Sequence, residues 1–227
     1  MILAAGRGER MRPLTDSLPK PLLSVGGKAV VVWQLERLAR AGFQRAVINH
    51  AHLGAMIEAA LGDGSRWGLE LSYSAEPEAL ESAGGIRQAL PLIGSESFAV
   101  VNADVYTDYD YHLLAARVDA MRAHAGILAH LVLVDNPSHH PGGDFFFQEG
   151  RPVDCGKRRL TFSGIGAYRV ELFDALVPGK KHRLAPLIGA AIASGRASAE
   201  HHRGLWVDVG TPQRLAQLDA MLTEKQG

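Results

Sequence analysis

An apolar run, Met1 to Ala5, breaks directly into a glycine-rich segment that carries Arg7, Arg10, Arg12 and Lys20. The run has the pattern of a short buried strand, so the glycines fall at the turn beyond its carboxyl end. Backbone this poor in side chains can approach a ligand closely and aim its N–H groups at phosphate oxygens, while guanidinium and ammonium groups neutralise the bound charge. A polyphosphate site is the expectation. Two better-known phosphate loops do not fit it. A G-x-G-x-x-G dinucleotide turn starting at Gly6 needs glycine where Met11 stands, and a Walker A loop needs Ser or Thr after Gly27-Lys28, where Ala29 stands.

Downstream, helix and strand patterns alternate. Val31, Leu35 and Leu38 share one helical face between Val30 and Ala41, and Gly42 is a suitable stop. Ala46 to His50 reads as a buried strand, His52 to Leu61 as a helix ended by Gly62, and Leu69 to Ser74 as another strand. A polar loop from Glu76 then enters a helix over Ser82 to Leu90, with Ser82 as a possible cap. Gly84 and Gly85 are poor helix formers in that first turn, so something is expected to come close to the backbone there. Phe98 to Val105 reads as an apolar strand that ends abruptly in Asn102 and Asp104. This order predicts an α/β fold: a doubly wound, mostly parallel mixed sheet flanked by helices, with right-handed crossovers. Ligands in such sheets sit beyond the carboxyl ends of the strands, where Asp104 could offer oxygen ligands to a hard cation.

The second half departs from strict alternation. Asp108 and Asp110 are capping candidates for a helix through Met121. Strands are expected over Ile127 to Val134, Asp144 to Gln148 and Thr161 to Tyr168, with a turn-rich loop from Asn136 to Gly143. A helix over Leu184 to Ala193 and a strand through His201 follow. Trp206 to Pro212 then supplies a second acidic strand end, Asp208, with Thr211 as cap and Pro212 at the first position of the last helix.

Composition narrows the function classes. With 24 Lys+Arg against 24 Asp+Glu there is no basic excess to point to nucleic acid and no overall field to point to a membrane surface. No apolar run approaches the roughly 20 residues of a membrane span, and no secretory pattern precedes the first strand. Cys155 is the single cysteine, which excludes an internal disulfide or a multi-cysteine zinc site. The adjacent pairs His139-His140 and His201-His202 point to opposite faces if the chain is extended, so the histidines are assigned surface or structural roles. One domain over 1–227 is expected, with a nucleotide half over about 1–110 and a second half over about 111–227.

Read position by position, Gly6, Gly8, Arg10, Pro13, Thr15, Pro19, Lys20 and Pro21 form G-x-G-x-R-x-x-P-x-T…P-K-P. This resembles the signature of the sugar-1-phosphate nucleotidyltransferases, which join a nucleoside triphosphate to a sugar phosphate and release pyrophosphate. The resemblance implies a nucleotide site at Ala4, Ala5, Gly6 and Gly8. A second wall is implied at Leu80, Gly84 and Gly85, in a stretch similar to the family's L-[G/E]-[T/S]-A-G. It further implies catalytic roles for Arg10 and Lys20, Mg²⁺ on Asp104 and Asp208, sugar contacts at Asn102, Asp144, Gly164 and Trp206, and a small antiparallel lid in the second half.

Longer stretches, among them Val47 to His50, Asn102 to Asp110, His130 to Pro137 and Thr161 to Ile165, resemble the bacterial N-acetylmuramate α-1-phosphate uridylyltransferases of cell-wall recycling. The partners so implied are UTP and N-acetylmuramic acid 1-phosphate in the cytoplasm, with no nucleic acid or membrane; oligomeric state is not legible. Mannose-1-phosphate guanylyltransferases share the same motifs, and a regulatory binding module that has lost turnover is the alternative from another class. The E-K-P segment that supplies a sugar-phosphate lysine in longer relatives is not recognisable, although Lys157, Arg158 and Arg159 lie in that region. The chain also begins at the strand itself, where relatives have a few residues more, and the helical stretch from Tyr111 to Gly126 is longer than the family pattern.

Overall fold

The structure, a computed structural model, describes residues 1–224. β1 (Ile2–Leu3) runs into a loop that carries one helical turn, α1 (Leu14–Ser17), and a hairpin of β2 (Ser24–Val25) with β3 (Lys28–Ala29). There follow α2 (Val30–Arg40), β4 (Arg45–His50), α3 (Gly54–Leu61), β5 (Glu70–Ala75) and α4 (Glu81–Ile93). β6 (Ser97–Asn102), β7 (Val105–Thr107) and α5 (Tyr111–Ala123) come next. The second half comprises β8 (Ala129–Val134), β9 (Phe145–Gln148), β10 (Arg151–Val153) and β11 (Arg159–Arg169), then α6 (Leu184–Ala193), β12 (Ala197–His202), β13 (Trp206–Asp208) and α7 (Pro212–Glu224).

The main sheet runs β12-β8-β11-β6-β1-β4-β5, with β9 and β10 attached to the beginning of β11. β1 pairs parallel with both β4 and β6, β4 with β5, and β12 with β8, whereas β11 runs antiparallel to β6 and β8. The mixed, mostly parallel sheet expected from the alternation is therefore present, and β1 lies where successive crossovers leave in opposite directions. Between Phe162 and Ile165 the register of β11 shifts at a bulge, which frees Gly164 from the ladder. β9 with β10, and β7 with β13, are the small antiparallel pairs at this end.

Helices cover both faces because the strands are apolar on both. One core packs α2, α3 and α5 through Leu35, Ile57 and Leu114. The other packs α4 and α6 through Ile86, Ala89 and Ile188. A third cluster, with Met11, Val25, Val209 and Leu222, seats the first loop on α7.

Local chemistry sets several boundaries. β1 stops early because the N–H of Ala4 donates to Asn49 Oδ1 at 3.0 Å instead of to a strand partner. Leu53 takes φ 54°, so α3 begins at Gly54 and not at His52. Ser82 does not cap α4: Leu80 occupies the capping position without a side-chain bond, and its N–H donates to Glu76 Oε2 at 2.8 Å. Asp110 caps α5 by accepting from His112 N at 3.0 Å, while Asp108 pairs with His202 Nε2 at 2.9 Å. Thr211 Oγ1 accepts from Arg214 N at 3.3 Å, as its expected cap role requires.

Candidate active site

At the carboxyl ends of β1, β4 and β6 lies a cleft of three lobes that share Asn102. The first lobe, about 360 Å³, is lined by Ala4, Ala5, Gly6, Gly8, Lys20 and Asp104, with Ala79, Glu81 and Ser82 opposite. The second, about 370 Å³, brings Arg10, Asp104, Asp144, Trp206 and Asp208 together with His139 and His140. The third, about 360 Å³, is walled by Phe145, Phe162, Leu184 and Ile188, with Glu81, Ser82, Asn102, Asp144, Gly164 and Arg183 at its other positions. A larger cavity of about 430 Å³ opens at the opposite, amino ends of the strands, away from every one of these motif residues.

The loop after β1 is built to be held still. Gly8 has φ 70°, and a Cβ there would lie 3.0 Å from Thr15 Cγ2, while Thr15 Oγ1 donates to Gly8 O at 2.9 Å. Arg7 donates to Thr15 O at 2.7 Å and to Asp16 Oδ1 at 3.0 Å, and Arg12 donates to the same carboxylate oxygen at 2.7 Å. The hydrogen bond from Arg12, followed by that from Arg7, holds the Asp16 carboxyl below its ordinary range. Arg10 is exposed, lines the second lobe, and among the described residues enters no ion pair.

The two expected metal ligands, far apart in sequence, line one lobe. Lys20 Nζ contacts Asp104 Oδ2. Asp208 Oδ1 accepts from Arg214 Nη1 at 2.6 Å and lies 3.1 Å from His139 Nε2. No group of three or more His, Cys, Asp or Glu side chains gathers as a potential metal cage among the described residues. Two carboxylates are nonetheless the donor set that suits Mg²⁺, which keeps water and phosphate oxygens in its remaining positions.

The second wall differs in detail from the expectation. Leu80, Gly84 and Gly85 are buried behind the lobe, and Ala79, Glu81 and Ser82 face it instead. A Cβ on Gly84 would meet Lys180 O at 2.4 Å, and one on Gly85 would meet Glu76 Oε1 at 2.5 Å and Asn49 Nδ2 at 2.6 Å. Both glycines thus admit protein, not ligand. Gly85 makes room for a bridge in which Asn49 accepts from Ala4 N and donates to Glu76, which in turn accepts from Leu80 N. Burial pushes the Glu76 carboxyl above its usual range, against the opposing pull of these donors. Glu81 holds φ 63°, strained for a residue with a side chain.

Of the four expected sugar contacts, Asn102, Asp144 and Gly164 line the third lobe and Trp206 the second. Gly164 has φ 78°, and a Cβ on it would lie 2.4 Å from Asn102 Nδ2. Asp144 has both oxygens engaged, Oδ1 with His140 Nε2 at 3.0 Å and Oδ2 with Phe162 N at 2.8 Å. Trp206 is fixed by donating Nε1 to Ser163 O at 2.9 Å. Lys157, Arg158 and Arg159 line none of the three lobes.

The reading of His139 and His140 as facing opposite ways is corrected, because they sit in a turn where both rings reach the second lobe. The sequence reasoning also missed Arg183 and Arg214. Arg214 carried a weak signal, since the cap at Thr211 puts it in the first turn of α7, directly behind Asp208.

A nucleotidyl transferase family model matches residues 1–140, which hold the first loop, the second wall and Asp104. The chain belongs to the nucleotidyl transferase family. It is 52% identical over 225 residues to an N-acetylmuramate α-1-phosphate uridylyltransferase of Neisseria meningitidis, covering 97% of this chain and 96% of the relative. The namesake enzyme of Caulobacter vibrioides is 33% identical, over 99% of this chain and 96% of its own length. Among solved structures, a putative glucose-1-phosphate thymidylyltransferase from Bacillus anthracis superposes with TM-score 0.85 at 20% identity, over 97% of this chain and 93% of that one, a likeness of fold.

Proposed function

We propose that the chain transfers the uridylyl group of UTP to N-acetylmuramic acid 1-phosphate, giving UDP-N-acetylmuramic acid and pyrophosphate in the recycling of peptidoglycan in the cytoplasm. An oxygen of the sugar phosphate attacks the α-phosphorus of UTP, and the bond from that phosphorus to the bridging oxygen of pyrophosphate breaks. A phosphate monoester has a second pKa of about 6, so the nucleophile is already an anion at neutral pH and needs no general base. The barrier is the approach of two polyanions in line and the charge that develops on the leaving group.

Arg10 and the loop N–H groups from Ala5 to Gly8 bind the β- and γ-phosphates, the Ala4 N–H being held by Asn49. Lys20 stands at the α-phosphate, and Asp104 and Asp208 hold Mg²⁺. When bound, that ion neutralises the triphosphate. Ala4, Ala5, Gly6 and Gly8 take the nucleotide side, whereas Asn102, Gly164 and Trp206 take the sugar side. Asp144 orients the Phe162 backbone and His140 and so shapes the sugar lobe.

One observation carries the reaction: Arg10, Asp104 and Asp208 line a single lobe, with Lys20 on Asp104. The choice of base and sugar rests on the 52% identity to the Neisseria relative. The test is pyrophosphate release from purified protein with Mg²⁺, offered each nucleoside triphosphate with each sugar 1-phosphate. UTP with N-acetylmuramic acid 1-phosphate is expected to be the fastest pair. A preference for GTP with mannose 1-phosphate replaces this assignment, and triphosphate binding without turnover of any pair makes the chain a binding module.

A further inference from the structure

N-acetylmuramic acid differs from N-acetylglucosamine by a lactyl ether that ends in a carboxylate, so a protein that selects it needs a cation in the sugar lobe. Arg10 and Lys20 are engaged in the phosphate-side lobes. Among the described residues that line the third lobe, Arg183 is the one Lys or Arg. We propose that Arg183 binds this lactyl carboxylate and thereby sets the preference for the muramyl sugar. The assignment rests on the proposed function above and deepens it.

The position is prepared in three ways. Arg183 is exposed, and no carboxylate of the described residues lies within ion-pair distance of it, whereas nearby Lys181 is occupied by Glu78 at 2.7 Å. The residue before it is docked against the start of α4: His182 O accepts from Ala83 N at 2.9 Å and Gly84 N at 3.1 Å, and His182 N donates to Leu80 O at 3.0 Å. The missing Cβ of Gly84 lets Lys180 O approach, so that glycine positions the segment that carries Arg183.

Two carboxylates, Asp144 and Glu81, line the third lobe beside Arg183. Asp144 has its oxygens taken by His140 and by the Phe162 N–H. Glu81 lines this third lobe as well as the first, so the anionic arm has to be held at the Arg183 guanidinium with a second carboxylate in the same lobe. Phe145, Phe162 and Leu184 supply the apolar wall for the ether methyl. A guanidinium offers a planar pair of donors to a carboxylate, which an ammonium does not.

Steady-state rates with UTP and Mg²⁺ are measured for N-acetylmuramic acid 1-phosphate and for N-acetylglucosamine 1-phosphate, using the wild type, Arg183→Gln and Arg183→Lys. A charge-assisted hydrogen bond makes a difference of about 10- to 100-fold. Arg183→Gln is therefore expected to lower the ratio of kcat/KM for the muramyl sugar over the glucosamine sugar by about that factor, mainly through KM, with Arg183→Lys intermediate. An unchanged ratio, or an equal fall on both sugars, overturns the role of Arg183 while leaving the proposed function standing. Wild type that turns over neither sugar overturns the proposed function and this assignment together. Thermal melting and UTP binding equal to wild type confirm that the variants are folded.

Discussion

Arg7, Arg10 and Arg12 share one loop, and their partners separate their tasks. Arg7 and Arg12 converge on Asp16 and hold the loop's shape, whereas Arg10 is left facing the lobe that contains Asp104 and Asp208. Arg10→Ala is therefore expected to cost about 10²- to 10³-fold in kcat/KM, the range seen when one donor to developing charge is removed. Arg12→Ala loses an exposed ion pair with Asp16 and leaves the lobe's charge intact, so its effect on turnover is much smaller. Kinetics on the two variants side by side distinguish these tasks, and equal losses would remove the special place given to Arg10. Sequence alone ranked Arg10 first through the family motif, but it held no sign that its neighbours would be neutralised by Asp16.

The elements that bear the site are joined by one polar bridge. Asn49 at the end of β4 and Glu76 just beyond β5 connect the first loop to the start of α4 through Ala4 N and Leu80 N. The bridge passes through space that a side chain on Gly85 would fill. Gly85→Ala is expected to destabilise the protein by about 1–3 kcal/mol, the usual cost of overpacking, and to weaken triphosphate binding because both walls shift. Chemical denaturation and a binding titration read the two effects; a variant with wild-type values in both would mean that the bridge yields without strain. The sequence correctly marked Gly84 and Gly85 as points of close approach. It could not say to what, since Lys180 and Glu76 reach them only through the packing of α4 on its neighbours.

Over the whole molecule, Glu200 on β12 ties the sheet edge to the chain entering α5. It accepts from Tyr109 and lies 3.2 Å from His130 Nε2, itself buried and paired with Ser198 at 2.8 Å. Burial raises the Glu200 carboxyl, but the hydrogen bonds from His130 and Tyr109 outweigh it and hold the group below its ordinary range. A carboxyl depressed in the folded state adds stability above its unfolded pKa and loses it as the pH falls through the folded value. Glu200→Gln is thus expected to cost about 1–3 kcal/mol at neutral pH, with the deficit shrinking as the pH falls below about 4.5. Urea denaturation across that range checks it; a deficit that grows in acid would reverse the assignment.

Strand and helix alternation, the glycine-rich basic turn after β1 and the two acidic strand ends were decided by sequence alone, because periodicity, turn chemistry and adjacency act over a few residues. Only the tertiary structure decided which side chains meet. Lys20 and Asp104 stand 84 positions apart and touch because β6 pairs with β1. Arg183 lines the third lobe because the segment before α6 docks on α4, a contact between residues about 100 positions apart that no local pattern encodes.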